Sequence, residues 1–320
     1  MAVYTHVDDE DLDAFLGDYD VGGLRSAKGI AEGVENTNYL VRADGGTFIL
    51  TLYEQRVAPE ELPFFLGLMA HCANAGLPTA RPVPRRDGGL ISELCGRSAA
   101  LVTFLDGVAV RRPRPDHCAE LGAGLARLHQ AAGNFALHRA NSLGIAAWEP
   151  LFAASREKAD TVLAGLVALV DGELAHLQAH WPQGLPSGVI HADLFPDNVF
   201  FIHGKLSGII DFYFACDDLL VYDLAICLNA WCFEEDGSFN VTKSRALMKA
   251  YAAVRPLNAN EYAALPILCR GAALRFLLTR LHDWLRVPAG ALVTPKDPKP
   301  YLERLRFHQA VERTSEYGLD

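Results

Sequence analysis

The sequence has no excess of positive charge. Its 29 lysines and arginines are outnumbered by 39 aspartates and glutamates, which gives a formal net charge of −10 over 320 residues. Proteins that bind nucleic acid usually present a basic face to the phosphates. No nucleic-acid partner is therefore expected.

The sequence also lacks a paired-cysteine motif, since no two cysteines have the C-x-x-C spacing typical of zinc and redox sites. Several of the cysteines lie in apolar stretches that look helical, where cysteine behaves as a small buried side chain. This usage favours a reducing compartment. The seven cysteines are Cys72, Cys95, Cys118, Cys216, Cys227, Cys232 and Cys269.

Long apolar runs are missing as well. No uninterrupted run approaches the roughly 20 residues that a membrane-spanning helix requires, and the acidic segment 1–15 has no signal-peptide core. We therefore expect no membrane partner and a cytoplasmic location. Half of the residues are hydrophobic, so a chain of this length can build one large domain or two lobes.

The predicted secondary structure divides the chain into a β-rich first third and a mainly helical remainder, joined near residues 103–107. In the first part, alternating β-forming residues predict strands within 26–54 and 79–105. Helices are predicted over 8–17, 59–75, 116–132, 150–181 (one or two), 219–233, 243–254, 261–285 and 301–315. This order predicts an α+β fold with two lobes, residues 1–105 and 106–320.

The most informative stretch is 187–212, SGVIHADLFPDNVFFIHGKLSGIIDF. It places four polar side chains in one tight turn, and a predicted hairpin with apolar strands then leads to Asp211. Burying charged groups in such surroundings costs several kcal/mol unless they have partners. A bound divalent cation would be such a partner. The four polar residues of the turn are His191, Asp193, Asp197 and Asn198.

This spacing fits phosphoryl transfer, which needs one carboxylate to accept a hydroxyl proton and further oxygen ligands to hold Mg²⁺ against phosphates. Asp193 is the candidate base. Asn198 and Asp211 are the candidate metal ligands, since Mg²⁺ prefers hard oxygen donors. Taken singly, each also fits an ordinary turn or capping residue. Tyr213 stands where the kinase D-F-G motif has its glycine.

The stretch resembles the aminoglycoside phosphotransferase and choline kinase branch of the protein-kinase-like fold. Within that branch, the phrases GVENTNYLV, TFILTLYE, HADLFPDNVFF and YDLAICLNAWCF resemble the homoserine kinases. The resemblance implies a β-rich nucleotide-binding lobe, a helical catalytic lobe, ATP and Mg²⁺ as cofactors, and L-homoserine as the phosphate acceptor. Another acceptor of the same branch, an aminoglycoside or choline, is the alternative.

The resemblance also implies roles for residues outside the catalytic turn. His191 would be a buried scaffold residue, and Asp223 would brace the catalytic loop from a helix start. Glycine-containing loops can cradle phosphates with backbone amides, which implies a nucleotide-binding role for the loop that begins at Gly29. The implied nucleotide-binding residues are Gly29, Gly33 and Asn38 in this loop, with Thr103 and Leu105 offering backbone groups to adenine.

The sequence departs from the kinase pattern in its third strand, where Thr51 stands in place of the lysine that holds the α- and β-phosphates. Arg56 or Lys28 is the candidate replacement. In protein kinases a helix glutamate pairs with the strand lysine, and the candidate for it here, Glu60 or Glu61, would have no lysine to pair with. A nucleotide-binding regulator without turnover is therefore a second class of function to be tested.

The residues that bind the acceptor are the hardest to predict from the sequence. A zwitterionic amino acid needs a cation for its carboxylate, and arginine suits this role because its guanidinium forms two parallel hydrogen bonds. Arg275 and Arg280 are candidates, although they lie about 140° apart on an ideal helix. The acidic stretches 217–218 and 234–236 would meet an ammonium group. Asp197 would reach substrate or metal, with a helical or turn cap as its alternative. A solvated surface charge is the alternative for each.

Overall fold

The computed structural model of the chain describes residues 5–30, 36–54, 57–286 and 295–319. The chain forms two compact units. The first comprises Met1–Gly107, Phe135–Leu137 and Ser207–Tyr213, and the second comprises Val108–Asn134, His138–Leu206 and Phe214–Asp320. Two short segments from later in the chain, 135–137 and 207–213, belong to the first unit; the sequence predicts lobes of residues 1–105 and 106–320.

The first unit contains a five-stranded antiparallel sheet with the strand order β1-β2-β3-β5-β4. Its residues alternate between buried and more exposed positions along β2, which is the pattern that the sequence predicts. Its strands are β1 (Leu24–Ile30), β2 (Thr37–Ala43), β3 (Gly46–Leu52), β4 (Ser92–Leu94) and β5 (Arg97–Thr103).

Two predicted helices of this unit are confirmed, α1 (Asp9–Leu16) and α2 (Leu62–Asn74). Helix α1 begins at an N-cap, Asp8, whose carboxylate accepts a hydrogen bond from the Asp11 amide at 2.9 Å. Its apolar side joins the core of the sheet through Leu12 and Phe15. Burial of this side gives the unit one continuous hydrophobic core.

The second unit is mainly helical, as expected. It contains two small sheets, an antiparallel pair of β7 with β10 and a three-stranded sheet with the order β6-β8-β9. Its helices are α3 (Pro115–Ala131), α4 (Ile145–Ala153), α5 (Arg156–Val162), α6 (Leu166–His180), α7 (Leu220–Trp231), α8 (Val241–Val254), α9 (Ala259–Leu285) and α10 (Lys299–Ala310). Its strands are β6 (Val108–Ala109), β7 (Ser187–Ile190), β8 (Val199–Ile202), β9 (Lys205–Ile209) and β10 (Cys216–Leu219), and β9 passes into the first unit after Leu206.

Two predicted helical segments differ from the structure. The segment 150–181 contributes to three helices rather than one or two, because Leu163 is extended and Gly165 adopts φ +79° between α5 and α6. The final predicted helix, 301–315, ends at Ala310 because Val311 is extended. The helical spacing of apolar residues continues across both of these helix ends, so the sequence alone did not predict them.

Helix α9 is the central helix of the second unit and packs against α7 and α10. It begins with a capping box, in which the side chains of Asn258 and Glu261 each accept a hydrogen bond of 3.0 Å from the backbone N–H of the other. By length and composition it is the single described helix that would be able to cross a membrane unaided, but 67% of its most apolar window is buried inside the fold. Such burial is typical of a core helix.

Candidate active site

The turn that carries the predicted catalytic residues, 191–198, is called here the catalytic turn, and it follows β7 directly. Strand β7 is fixed by antiparallel pairing with β10, in which Ile190 lies opposite Cys216. A short 3₁₀-helix, Pro196–Asn198, closes the turn and leads into β8. The turn that carries the predicted site residues is therefore held between two strands of the second unit.

Asp223, in the first turn of α7, anchors the start of this loop. Its carboxylate accepts the backbone N–H groups of His191 at 2.7 Å and of Ala192 at 3.0 Å. Both Asp223 and His191 are fully buried. Burial alone would raise the pKa of Asp223, but the hydrogen bond and charge of His129 and the His191 amide hold that pKa below its usual value.

His129 is a supporting residue that the sequence reasoning missed. Its Nε2 lies 3.2 Å from Asp223 Oδ2, and its Nδ1 lies 2.7 Å from the Tyr251 hydroxyl. Because the carboxylate can only accept, Nε2 donates to it, while Nδ1 is hydrogen-bonded to the tyrosine hydroxyl. The available signal was a histidine that follows Leu128 on the apolar side of α3.

The loop is held in a conformation that non-glycine residues rarely adopt. Ala192 has φ +62°, in the left-handed region. Its N–H is bound by Asp223, and its carbonyl accepts a hydrogen bond from the guanidinium of Arg275. These contacts, one to each of the two peptide groups that flank the Ala192 α-carbon, offset the cost of the strained backbone and fix the direction in which the next residue, Asp193, leaves the loop.

Asp193 and Asn198 are in direct contact. The Asn198 amide nitrogen donates to the Asp193 carbonyl at 2.8 Å and to its carboxylate at 3.2 Å. The Asp193 N–H donates to His191 Nδ1 at 3.3 Å. Since the Asn198 nitrogen is used in this way, its side-chain oxygen is left as an acceptor, and it has no hydrogen-bond partner within the described part of the chain.

Asp211 belongs to the first unit, where it follows β9. It too adopts a left-handed conformation, with φ +63°. Beside it, the hydroxyls of Tyr53 and Tyr213 are 2.9 Å apart. Burial is the main cause that raises the pKa of Tyr213 to about 12, and the Asp211 carboxylate adds to the shift. Both tyrosines are therefore neutral at pH 7 and act as hydrogen-bonding groups.

Thr51, which stands on β3 where protein kinases have their phosphate-binding lysine, is buried. Thr51 Oγ1 donates to the side-chain oxygen of Asn38 at 2.8 Å, across the pairing of β3 with β2. This contact shows that Asn38 stabilises the sheet next to the glycine loop. Gly29 pairs with Tyr39 at the end of β1. Gly33 and Arg56 lie outside the described residues.

Thr103 and Leu105, the two residues predicted to offer backbone groups to adenine, are called here the hinge residues, and they differ in what their backbones offer. The Thr103 N–H already donates to the Arg81 carbonyl at 2.9 Å, and its hydroxyl accepts the Arg81 N–H at 2.9 Å. The N–H and carbonyl of Leu105 make no hydrogen bond with any residue that the structure describes. Leu105 is the hinge residue with free backbone groups.

The predicted acceptor-site arginines have different environments. Arg275 is 2% exposed and supports the catalytic loop through the Ala192 carbonyl. Arg280 is half-buried and lies within electrostatic range of Asp193 and Asp197. Asp197 forms an exposed ion pair of 3.3 Å with Lys296.

The other acidic stretches are occupied by structural contacts. Asp217 accepts the Arg139 N–H at 2.9 Å, and Asp218 accepts from Asn141 at 2.6 Å. Glu234 pairs with the buried Lys243 at 2.7 Å, and Glu235 pairs with Arg112 at 2.8 Å. These carboxylates hold loops of the second unit.

Comparison with protein families identifies the class. Residues 26–257 match the model of the phosphotransferase enzyme family, whose short name is APH. The chain belongs to this family. The matched range contains the glycine loop, the catalytic turn and Asp223, which are the elements described above.

Full-length relatives refine the comparison. A protein from Xanthobacter autotrophicus is 64% identical over 100% of this chain and 99% of its own length, and one from Rhodospirillum rubrum is 60% identical over the same shares. Both are named homoserine kinase. The resemblance to the homoserine kinases seen in the sequence is confirmed.

Solved structures confirm the fold. An amicoumacin kinase superposes with a TM-score of 0.70 at 16% identity, covering 95% of this chain and 92% of its own. An aminoglycoside phosphotransferase from Alicyclobacillus acidocaldarius superposes with a TM-score of 0.66 at 15% identity, covering 98% and 96%. The predicted protein-kinase-like α+β fold is therefore correct.

Proposed function

We propose that this enzyme is a homoserine kinase that transfers the γ-phosphate of ATP to the hydroxyl of L-homoserine, giving O-phospho-L-homoserine and ADP. The observation that carries the proposal is the anchored catalytic turn, in which Asp193 is oriented by Asn198 and the loop is fixed on Asp223. The full-length relatives named homoserine kinase support the choice of acceptor and place the reaction in threonine biosynthesis.

Asp193 is proposed as the catalytic base. The acceptor hydroxyl oxygen forms a bond to the γ-phosphorus as the bond from that phosphorus to the bridging oxygen breaks, and ADP leaves with the electron pair. The hydroxyl proton passes to the Asp193 carboxylate. Because such transition states are loose, the carboxylate mainly orients the hydroxyl and takes the proton late.

Asn198 and Asp211 are proposed as Mg²⁺ ligands. The side-chain oxygen of Asn198, left as an acceptor by its amide contacts, is a suitable hard donor. No group of three or more His, Cys, Asp and Glu side chains in the described residues is arranged to hold a metal, so phosphate oxygens and water would complete the coordination. When bound, the ion neutralises phosphate charge.

The nucleotide would lie against the β-rich part of the chain, the predicted nucleotide-binding lobe of residues 1–105. Gly29, Gly33 and Asn38 are proposed to form or brace the phosphate loop. The free backbone groups of Leu105, next to Thr103, suit the adenine edge. The amicoumacin kinase of the same fold is described in complex with AMP-PNP and Ca²⁺.

A cation other than the missing strand lysine is expected to help hold the phosphates, with Arg56 and the exposed Lys28 as candidates. Replacing Arg56→Ala should raise the Michaelis constant for ATP about tenfold, the effect of losing one charge-assisted hydrogen bond. Lys28→Ala provides the matched comparison. An unchanged constant in the Arg56 variant removes that residue from the site.

A coupled assay for ADP release tests the proposed function. With ATP and Mg²⁺, release that depends on L-homoserine supports the proposal. Release only with an aminoglycoside or choline assigns the chain to the alternative acceptors. ATP binding without release in the presence of any acceptor identifies a nucleotide-binding regulator. A small-molecule acceptor and a cytoplasmic location complete the proposal.

A further inference from the structure

Two arginines stack on one buried tyrosine in the second unit. The guanidinium carbon of Arg280, from α9, lies 4.4 Å from the ring centroid of Tyr301, and that of Arg304, from α10, lies 4.5 Å from the same centroid. Tyr301 is fully buried, and its ring also packs against Phe276 at 5.2 Å. Stacking on aromatic faces is a preferred way to hold a guanidinium.

Neither arginine has an acidic partner of its own. Within the described ranges, Arg280 donates to one carbonyl, that of Asp297 at 3.3 Å, and Arg304 forms no ion pair and interacts with the Tyr301 hydroxyl. By contrast, Arg270 on the same α9 helix is paired with Glu173 at 2.5 Å. Burial lowers the pKa of Arg280, and the nearby Arg304 charge adds to this effect. Two neighbouring guanidiniums without a counter-ion favour binding of an anion.

The Tyr301 hydroxyl is a third group at the same place. It is fully buried, and no acceptor for its proton lies within hydrogen-bond distance among the described residues. A buried hydroxyl proton without an acceptor is destabilising. Burial raises the pKa of Tyr301, and the hydroxyl lies within electrostatic range of Arg304, Arg280 and Asp193. It is therefore a neutral donor close to both arginines and to the proposed base.

We propose that Arg280, Arg304 and the Tyr301 hydroxyl bind the α-carboxylate of the acceptor. This inference rests on the proposed function, since it requires an amino acid as substrate. A carboxylate would supply the anion that the two guanidiniums lack and the acceptor that the hydroxyl lacks. The site thereby selects amino-acid alcohols over amino alcohols without a carboxylate.

The position of the site fits the chemistry of homoserine. Four bonds separate its hydroxyl oxygen from its carboxylate carbon, a span of about 5 Å when extended. Phe195, two residues after Asp193, has its ring centroid 6.4 Å from that of Tyr301, so a carboxylate held there lies beside the loop that carries the proposed base. Asp197, in electrostatic range of Arg280, is the nearby acid for the ammonium group.

Arg275 is excluded from this site by its contacts. It is 2% exposed, and its guanidinium donates to the Ala192 carbonyl. It therefore positions the catalytic loop. Arg304, which sequence reasoning did not select, takes its place as the second carboxylate-binding arginine.

The test compares two acceptors in two variants. Arg304→Met keeps an unbranched side chain over the tyrosine ring but removes the charge. Arg306→Met makes the same change at an exposed arginine of α10. The acceptors are L-homoserine and 3-aminopropan-1-ol, which is homoserine without its carboxylate. If the amino alcohol turns over too slowly, its inhibition constant against homoserine is measured instead.

We expect Arg304→Met to raise the Michaelis constant for homoserine about 10- to 100-fold, the effect of losing hydrogen bonds to a charged group, with little change in kcat. The constant for 3-aminopropan-1-ol should not change. Arg306→Met should match the wild type with both acceptors. Equal kinetics in the two variants, or an equal loss with both acceptors, would overturn the carboxylate site.

Tyr301→Phe provides a second, independent measurement. It should raise the Michaelis constant for homoserine about 3- to 10-fold with little change in the melting temperature, because the deleted hydroxyl donates to no acceptor among the described residues of the free protein. A lower melting temperature with unchanged kinetics would mean that the hydroxyl has a structural partner. If the wild type itself shows no homoserine-dependent ADP release, the proposed function fails rather than the site assignment alone.

Discussion

The catalytic turn of the second unit and the proposed nucleotide-binding elements of the first unit are built in different ways. In the turn, side chains hold the loop: Asp223 binds two amides, Arg275 binds a carbonyl and Asn198 orients Asp193. In the first unit, the proposed contacts are backbone groups at the glycine loop and at Leu105, and the usual strand lysine is replaced by a buried threonine. The first design depends on specific side chains, whereas the second depends mainly on chain geometry.

The largest effect is expected at the base. Asp193→Ala should lower kcat about 10³-fold, within the usual range for loss of a general base, while the far-UV spectrum and melting temperature stay near those of the wild type. Asp236→Ala, in an exposed turn of the same unit, is the control and should keep full activity. A near-normal rate in the Asp193 variant would show that the base is elsewhere.

The anchor of the loop should combine a loss of activity with a loss of stability. Asp223→Asn places an amide nitrogen against the N–H groups of His191 and Ala192 and against His129. We expect the free energy of unfolding to fall by about 3 kcal/mol, as for a broken buried charged contact, and kcat to fall more than tenfold. Chemical denaturation and steady-state kinetics measure the two effects.

The pKa of Asp223 determines the pH at which this loss of unfolding free energy should be measured. Its folded-state pKa is depressed, so its contribution is complete above the unfolded pKa of about 3.9 and is lost as pH falls through the folded value. The difference between wild type and variant should therefore be full at pH 7. Equal stability of the two proteins at pH 7 would contradict the anchoring role.

The buried side chain of His308 should make the folded protein less stable in acid, in addition to any effect at the catalytic turn. Burial, with the Arg304 charge, lowers its pKa to about 3. Its ring nitrogens lie 2.8 Å from the Tyr317 hydroxyl and 3.1 Å from Asn229 Oδ1. Asn229 uses its nitrogen to donate to two carbonyls, so Nε2 of His308 carries the proton and the ring is neutral.

The sign of the pH effect follows from this depressed pKa. Above the unfolded pKa of about 6.5 the neutral ring contributes fully, and stability falls as pH drops towards 3, by about 3–5 kcal/mol in total. His308→Gln should flatten the unfolding free energy over this window, while His6→Gln, at an exposed position, should not. An unchanged pH slope in the His308 variant would contradict the assignment.

The contrast between the two units also explains what could be predicted from sequence. Asp193 and Asn198 could be predicted to share one turn because phosphoryl transfer requires fixed residue types at fixed spacing, and the family resemblance pointed to His191 and Asp223. The structure brings these four residues into contact. His129 was missed because its partner Asp223 is 94 residues away. Arg304 was missed because Arg280, which stacks on the same Tyr301 ring, comes from another helix. Helix breaks at Leu163 and Val311 depend on tertiary packing, which periodicity does not record.

The smallest effect is expected in the first unit, at the position of the missing lysine. Thr51→Val removes the hydroxyl that donates to Asn38 at 2.8 Å and keeps a β-branched shape. If the phosphates are held mainly by backbone groups and by another cation, the Michaelis constant for ATP should change less than about threefold, and stability should fall by about 1 kcal/mol, the net contribution of one hydrogen bond. Thr47→Val, at the other end of the same strand, is the control. A loss of kcat above tenfold would instead show that the Thr51 hydroxyl acts on the phosphates, and the contrast between a side-chain-built turn and a backbone-built nucleotide site would no longer hold.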